Sequence, residues 1–256
     1  VSELRGIYTL WLREVKRYSR EKSRLVSSIV QPLIWLVIFG TGLGSAIGLA
    51  GGLNYQQFIF PGIIGQTMLF TAMFMGISVI WDKQFGFMKE ILVAPVSRVS
   101  IFIGKVLGVG TDSLIQGIII FVFGFLLSSP LHLSLSLPMF IESLPIMVVI
   151  AIGLVCIGLT MAAYMNSLEN FGAIMTFVNM PMFFLSGALF PVTRLPDWLK
   201  WVFYVNPLTY GVDALRTIIL GSDWTPIMPI YYEILVVIAF DVAMIVIGTY
   251  AFSRTQ

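Results

Sequence analysis

Six stretches of this chain stay apolar for about the thickness of a bilayer: residues 26–48, 58–81, 106–128, 145–164, 172–190 and 230–252. An α-helix rises about 1.5 Å per residue, so ~20 apolar residues cross the ~30 Å hydrocarbon layer. Backbone groups in hydrocarbon need internal hydrogen-bond partners, which leaves helices or closed barrels, and these runs lack the alternation of barrel strands. The sequence therefore predicts an all-α, polytopic membrane protein with six transmembrane helices. Composition agrees. The chain is 58% hydrophobic and 11% charged, whereas roughly 25% charge is usual in a soluble domain, and a water-soluble globule is excluded. One Cys, Cys156, and one His, His132, rule out an internal disulfide framework and a multi-histidine metal centre. The net charge of +2 says little about partners, and neither a metal nor a nucleic acid is expected.

An even number of spans puts both chain ends on one side, and basic residues decide which. Twelve of them (Arg5, Arg13, Lys16, Arg17, Arg20, Lys22, Arg24, Lys83, Lys89, Arg98, Lys105 and Arg254) fall on one face, against Arg194, Lys200 and Arg216 on the other. Both termini are expected in the cytoplasm, in a cell membrane. No signal-peptide pattern opens the chain, because the first apolar run follows about two dozen amphipathic residues without a small-residue cleavage pattern.

Within residues 1–25, Leu4, Ile7, Tyr8, Trp11, Leu12, Val15 and Tyr18 recur at three- and four-residue steps, with Arg5, Arg13, Lys16, Arg17 and Arg20 on other faces. That pattern predicts an amphipathic helix in the cytoplasmic interface. It is either a topological anchor held by anionic lipid or a lever touching a cytoplasmic partner. Residues 81–105, between spans two and three, are too polar to cross and too apolar to float free. Phe85, Met88 and Leu92, with Phe87 and Ile91 one step off, make an apolar face at helical spacing, and Pro95 ends the helix for want of an N–H. This face either rests on lipid or fills a groove on another protein.

Two motifs carry a resemblance. FGFMKEILVAPVSR, from Phe85 to Arg98, resembles the cytoplasmic coupling segment of type-2 ABC exporter permeases, above all the daunorubicin-resistance-like and nodulation-factor-exporter branch. FLSGALFPVTRLPDWLKWVFYVNPLTYGVDALR, from Phe184 to Arg216, resembles that family's fifth span and external re-entrant helices with the NPLTY-x-x-D-x-x-R signature. The resemblance covers the whole chain as one transmembrane domain, 1–256, with a six-span bundle over 26–252. It implies a permease subunit without catalysis of its own, two copies of which pair with two separate ATPase subunits, as a homodimer or with a close paralogue. ATP and Mg²⁺ would then be bound by the ATPase and no cofactor by this chain. The residues agree: no phosphate-binding loop is present, since Gly104-Lys105 is followed by Val106, which lacks a hydroxyl, and Val99 stands where the loop's first Gly belongs. By the same resemblance the helix carrying Phe85, Gly86, Phe87 and Pro95 docks in the ATPase, with Lys89 and Glu90 adding polar register; taken singly, those two read equally as a solvated face.

The external segment 191–229 holds Trp198, Trp201, Phe203, Tyr204, Leu208, Tyr210 and Ile218, too apolar for a loop in water. Asn206-Pro207 signals a helix start, and the helix over 207–220 sets Asp213 and Arg216 three apart on one face. Like the family's re-entrant pair, these helices either roof the path or form an interfacial platform. The family places the path between spans two and five of two copies. There Gln66, Phe70, Met73 and Phe74 share one face, and Phe177, Met180 and Phe184 the other. Such aromatic and Met-rich faces suit bulky apolar or amphipathic cargo (drug, lipid or glycan), and equally suit ordinary helix packing. The glycine steps Gly40, Gly44, Gly48 and Gly104, Gly108 mark close helix approach.

Asp241 falls near the middle of span six, where ionisation costs ~2.5–3.5 kcal/mol on insertion scales. No basic residue lies in any predicted span core, so this carboxyl is expected to face the bundle interior, protonated or touching water. It supports the alternative of an ion-coupled secondary transporter or channel, although the internal repeats usual in such folds are not visible. A membrane enzyme is disfavoured. Gly108-Val109-Gly110-Thr111-Asp112 misses the GxGD spacing of intramembrane aspartyl proteases by one residue, and no second acid is placed to share a proton.

Overall fold

Side-chain caps start several of the helices where the sequence signals them. Ser97, Ser167 and Asn206 each accept a hydrogen bond from a backbone N–H two or three residues on, supplying a partner for donors that the first turn leaves orphaned. The computed structural model describes residues 3–42, 54–87, 96–128, 133–192 and 195–254, with backbone alone for 22–29 and 41. All regular structure among them is helical: α1 (Glu3–Arg20), α2 (Lys22–Gly42), α3 (Tyr55–Phe74), α4 (Ile77–Gln84), α5 (Arg98–Leu126), α6 (Leu137–Ala163), α7 (Leu168–Phe184), α8 (Asp197–Val205), α9 (Pro207–Leu220), the 3-10 turn Gly221–Asp223 and α10 (Ile230–Arg254).

Four runs are long and apolar enough to cross a membrane: Tyr55–Gln84, Arg98–Leu126, Leu137–Ala163 and Ile230–Arg254. The chain is a multi-pass membrane protein. Helix α2 carries the shorter apolar stretch Val30–Gly40, and residues 43–53, with the Gly44 and Gly48 steps, lie outside the described residues. Helix α7 has 17 residues, about 26 Å at 1.5 Å per residue.

Several boundaries differ from the sequence reading. Span five was expected to run to Phe190, but its helix stops at Phe184, and the chain turns through Gly187 at φ +74. The carbonyls freed by that turn are taken up: Leu189 O accepts from the Tyr55 hydroxyl at 3.0 Å, and Gly187 O from Arg216. Span three begins at Arg98 instead of Val106, because Ser97 caps the helix there. Span four begins at Leu137, eight residues before Pro145, which the helix accommodates in its interior. Span two breaks at Met75-Gly76. A Cβ on Gly76 would lie 2.5 Å from Gly158 O, so α3–α4 and α6 touch backbone to backbone at this point.

Helix α3 is the axis of the core. Fifteen of its residues are buried, and α2, α5, α6, α7 and α9 pack around it. Lipid tails are as apolar as the side chains, so this association rests on close packing and interhelical polar contacts more than on the hydrophobic effect.

Candidate functional site

The end of the bundle that carries α1 is organised by charge. Helix α1 packs along α5 where two glycines make room: a Cβ on Gly104 would lie 2.9 Å from Leu10 Cβ, and one on Gly108 2.6 Å from Glu14 Cβ. The sequence spacing signalled this close approach without naming its partner. Glu14 is thereby carried to Lys105, whose ammonium donates to Glu14 at 3.2 Å and to Asp82 at 2.6 Å, with Glu14, Lys105 and Asp82 all out of contact with solvent. Arg13 also bonds Asp82, Arg17 reaches Glu14 at 3.5 Å, and Trp11 Nε1 donates to Thr111 at 3.0 Å. Deeper along the same seam, Gln116 donates to the Tyr18 hydroxyl. At the helix's start, the Glu3 carboxylate accepts from Ser97 N and Ser97 Oγ, and the Ser100 hydroxyl followed by the Ser97 amide and hydroxyl holds it below the usual carboxylate range.

Two expectations change here. Lys105 was read as a loop residue closing a cytoplasmic segment over 81–105; it is instead fully buried inside α5, because that helix starts seven residues earlier. The segment between α4 and α5 narrows to 85–97, and a basic residue does sit within a span. None of Arg13, Glu14, Asp82, Lys83 and Lys105 was singled out beforehand as a site residue. The available signal was the opposed pair Asp82 and Lys105 flanking one loop.

Next to Asp82, Lys83 points the other way. Its ammonium donates to Ala162 O (3.2 Å), Ala163 O (2.5 Å) and Met165 O (3.1 Å), and Gln84 Nε2 to Asn166 O at 3.1 Å. A cation thus caps the last carbonyls of α6, where the helix dipole favours it. Of the sequence-expected coupling residues, Phe85 and Phe87 are exposed at 72% and 49%. Gly86 takes φ +80, a left-handed turn open to glycine at little cost. Arg98 Nη1 donates to Ser253 O at 2.5 Å, tying α5 to the end of α10. Met88, Lys89, Glu90, Ile91, Leu92 and Pro95 lie outside the described residues.

On the opposite end, α9 is mostly buried, against α3, α6 and α10. Arg216 is its anchor. The guanidinium donates to Phe58 O (3.2 Å) and Gly187 O (2.9 Å), reaches Asp213 at 3.5 Å, and lies over the rings of Phe58 (4.0 Å) and Trp224 (4.7 Å). Asp213 accepts from Trp224 Nε1 (3.0 Å) and Ile227 N (2.8 Å). One Asp–Arg pair therefore gathers α3, the 185–190 turn, α9 and the following loop. Pro207 opens α9, Asn206 Nδ2 donates to Met182 O at 2.6 Å, and the Tyr210 hydroxyl donates to Tyr204 O at 2.7 Å. Helix α8 behaves differently, with Trp198 and Trp201 about three-quarters exposed. Its exposed Asp197 and half-buried Lys200 pair at 2.6 Å, which lowers the carboxyl and raises the amine from their usual ranges, first through the hydrogen bond and then through the charges.

The path residues divide. On α7, Phe177 is 80% exposed, and Met180 and Phe184 are partly so, with Phe184 edge-on to Trp35 of α2. On α3, Phe70 and Phe74 are half-buried, while Gln66 and Met73 are buried. The open stripe runs through Phe70, Thr71, Phe74, Ile77 and Trp81. Asp241 faces inward, as expected, opposite Gly153, where a Cβ would fall 2.2 Å from Asp241 Oδ1.

Among the described residues no group of three His, Cys, Asp or Glu is placed to hold a metal, and the organised chemistry consists of structural ion pairs and carbonyl caps. The class so defined is a multi-pass helical membrane protein, with charge-linked helices at one end and an anchored helix, α9, at the other. Residues 5–220 match the ABC-2 type transporter family, and the chain belongs to that family. It is 31% identical over 227 residues to the ycf38 protein of Cyanophora paradoxa, named a transport permease, covering 86% of this chain and 76% of that one. It is 27% identical over 243 residues to the inner membrane transport permease YadH of Escherichia coli K12, covering 92% and 91%. Nodulation protein J of Rhizobium leguminosarum is 28% identical over 199 residues, covering 77% and 74%, in keeping with the nodulation-exporter branch. The chain is a transport permease of this family, which implies the membrane subunit of an ABC transporter and partnership with an ABC ATPase.

Proposed function

We propose that two copies of this chain, or one with a close paralogue, form the gate of an ATP-driven exporter powered by two separate ATPase subunits, with six spans per copy and both termini cytoplasmic. ATP-driven closure of the ATPases displaces the segment from Phe85 to Pro95, reorients spans two and five, and releases an apolar or amphipathic substrate outward past Phe177, Met180, Phe70 and Phe74. The chain itself is non-catalytic. What supports this reading best is the pair of adjacent residues at the end of span two: Asp82 holds α1 and α5, and Lys83 holds the α6–α7 turn. A push on the segment that follows is thus delivered to three neighbouring elements at once, as a rigid-body shift requires.

The test uses the complex reconstituted with its ATPase. Gly86→Pro and Glu90→Arg should lower transport-linked ATP hydrolysis while the subunits still assemble. Hydrolysis at the wild-type level in both would remove the coupling role. The rival, an ion-coupled transporter acting through Asp241, has in its favour the buried carboxyl beside α6. Transport sustained by a proton gradient without ATP, and abolished by Asp241→Asn, would select it.

A further inference from the structure

Helix α1 presents three faces, and the buried charge cluster uses only one. Ile7, Leu10, Glu14 and Tyr18 face α5. About a quarter-turn away, Leu4 and Tyr8 are 77% and 58% exposed, and Tyr8 lies against Trp11 at 5.5 Å between ring centroids. In a membrane protein, a stripe of this kind with interfacial aromatics is buried at the boundary between headgroups and acyl chains. The third face is basic. Thr9, Leu12, Arg13, Lys16, Arg17, Arg20 and Glu21, all on or next to α1, border an open groove of about 610 Å³ along this face.

Two kinds of cation meet in that groove. Arg13 and Arg17 are held in place, Arg13 by Asp82 and Arg17 by Glu14 and the Trp81 ring at 5.1 Å, so their positions are set before any ligand arrives. Lys16 and Arg20, four residues apart and exposed, have no acidic partner among the described residues. Asp82 and Glu14 already answer two of the four cations, which leaves Lys16 and Arg20 beside Glu21; two exposed cations next to an apolar edge suit a phosphate. Leu12 is the link between faces, since it lines the groove and also borders the apolar stripe.

We infer that the basic groove of α1 is a binding site for the phosphate headgroup of an anionic membrane lipid, whose acyl end runs over Leu12 onto the face of Tyr8. The apolar edge distinguishes this occupant from a free anion, which would use the cations alone. The site is independent of the direction of transport and of the cargo.

The test uses the full-length chain purified in detergent and exposed to an equimolar mixture of phosphatidylglycerol and phosphatidylcholine, with retained lipid read by native mass spectrometry. Wild type should retain phosphatidylglycerol selectively. Each basic side chain near a membrane surface contributes about five-fold in affinity, so Lys16→Ala with Arg20→Ala should lower retention about thirty-fold, while Lys16→Arg with Arg20→Lys should keep it. Both positions are exposed, and an unchanged melting temperature checks that the fold is intact. Equal phosphatidylglycerol retention by wild type and the Ala pair would overturn the assignment. So would displacement of the lipid by millimolar inorganic phosphate, which would make this a free-anion site. Loss of the ATPase from the Ala pair, with lipid retention unchanged, would make the face a protein contact and overturn it too.

Discussion

Lys105 of α5 and Asp82 of α4 meet at 2.6 Å with both side chains withdrawn from solvent, and Glu14 of α1 closes on the same ammonium. Three helices distant in sequence are joined at one buried nitrogen. Removing one member of a buried pair leaves the others uncompensated, which costs about 3–5 kcal/mol. Lys105→Met should therefore detach α1, seen as faster proteolysis within residues 3–20 and a lower melting temperature. Lys105→Met combined with Asp82→Leu and Glu14→Leu should recover most of the loss, since no carboxylate is then stranded.

Lys83 supplies the second joint. Lys83→Met leaves Ala163 O and Met165 O without their side-chain donor, while Ala162 O keeps the Met165 amide, at up to about 1–3 kcal/mol per acceptor left unpaired. Hydrogen exchange should quicken in the α6–α7 turn, residues 164–167, while α1 stays protected. Unchanged exchange there would mean the cap does not hold the turn.

At the opposite end, Arg216→Lys keeps the charge and gives up the planar fork that serves Phe58 O and Gly187 O and stacks on two rings. A melting temperature several degrees lower is expected, with quenching or shifting of Trp224 fluorescence. If Arg216→Lys melts like wild type, the anchor lies elsewhere.

Gly153 and Asp241 form a size-limited contact. Gly153→Ala places a methyl on Asp241 Oδ1 and within 3.2 Å of the Phe240 ring, and overpacking of this kind costs about 1–3 kcal/mol. The same substitution in an Asp241→Ala background should be better tolerated. The coupling energy of the double-mutant cycle measures the contact directly.

Glu3 sets a pH dependence at the surface. Its carboxyl titrates below its ordinary 4.5 because Ser100 and Ser97 hydrogen-bond the ionised form. A depressed value stabilises the fold above the ordinary range and loses that contribution as pH falls through the folded value. The start of α1 should therefore loosen as pH falls below the ordinary carboxylate range, as read by protease cleavage, and Glu3→Gln should show that looseness already at pH 7.

Much of this architecture was legible. Asn206-Pro207 started a helix where its side-chain cap and fixed φ required one, and Gly104 and Gly108 marked a close approach. The partner of that approach was hidden, because a helix's apolar stripe does not say which protein surface lies next to it, and α1 turned a carboxylate and a tyrosine toward α5. Lys105 was misplaced for a related reason. Counting basic residues by loop assumes that each sits at a membrane edge, whereas two acids from other helices allow this one to be buried. That α7 stops at Phe184 goes with Tyr55 and Arg216 claiming carbonyls in the 185–190 turn, which no local pattern announces.

The central claim, that a partner levers this gate from the cytoplasmic side, is tested most directly by labelling Phe177→Cys in the reconstituted complex, the native Cys156 being buried. With the ATPase, ATP and Mg²⁺ present, thiol labelling at 177 should change several-fold, and Lys83→Met should abolish the change. A response to a proton gradient alone in the absence of the ATPase, or labelling indifferent to nucleotide in the intact complex, would contradict the account.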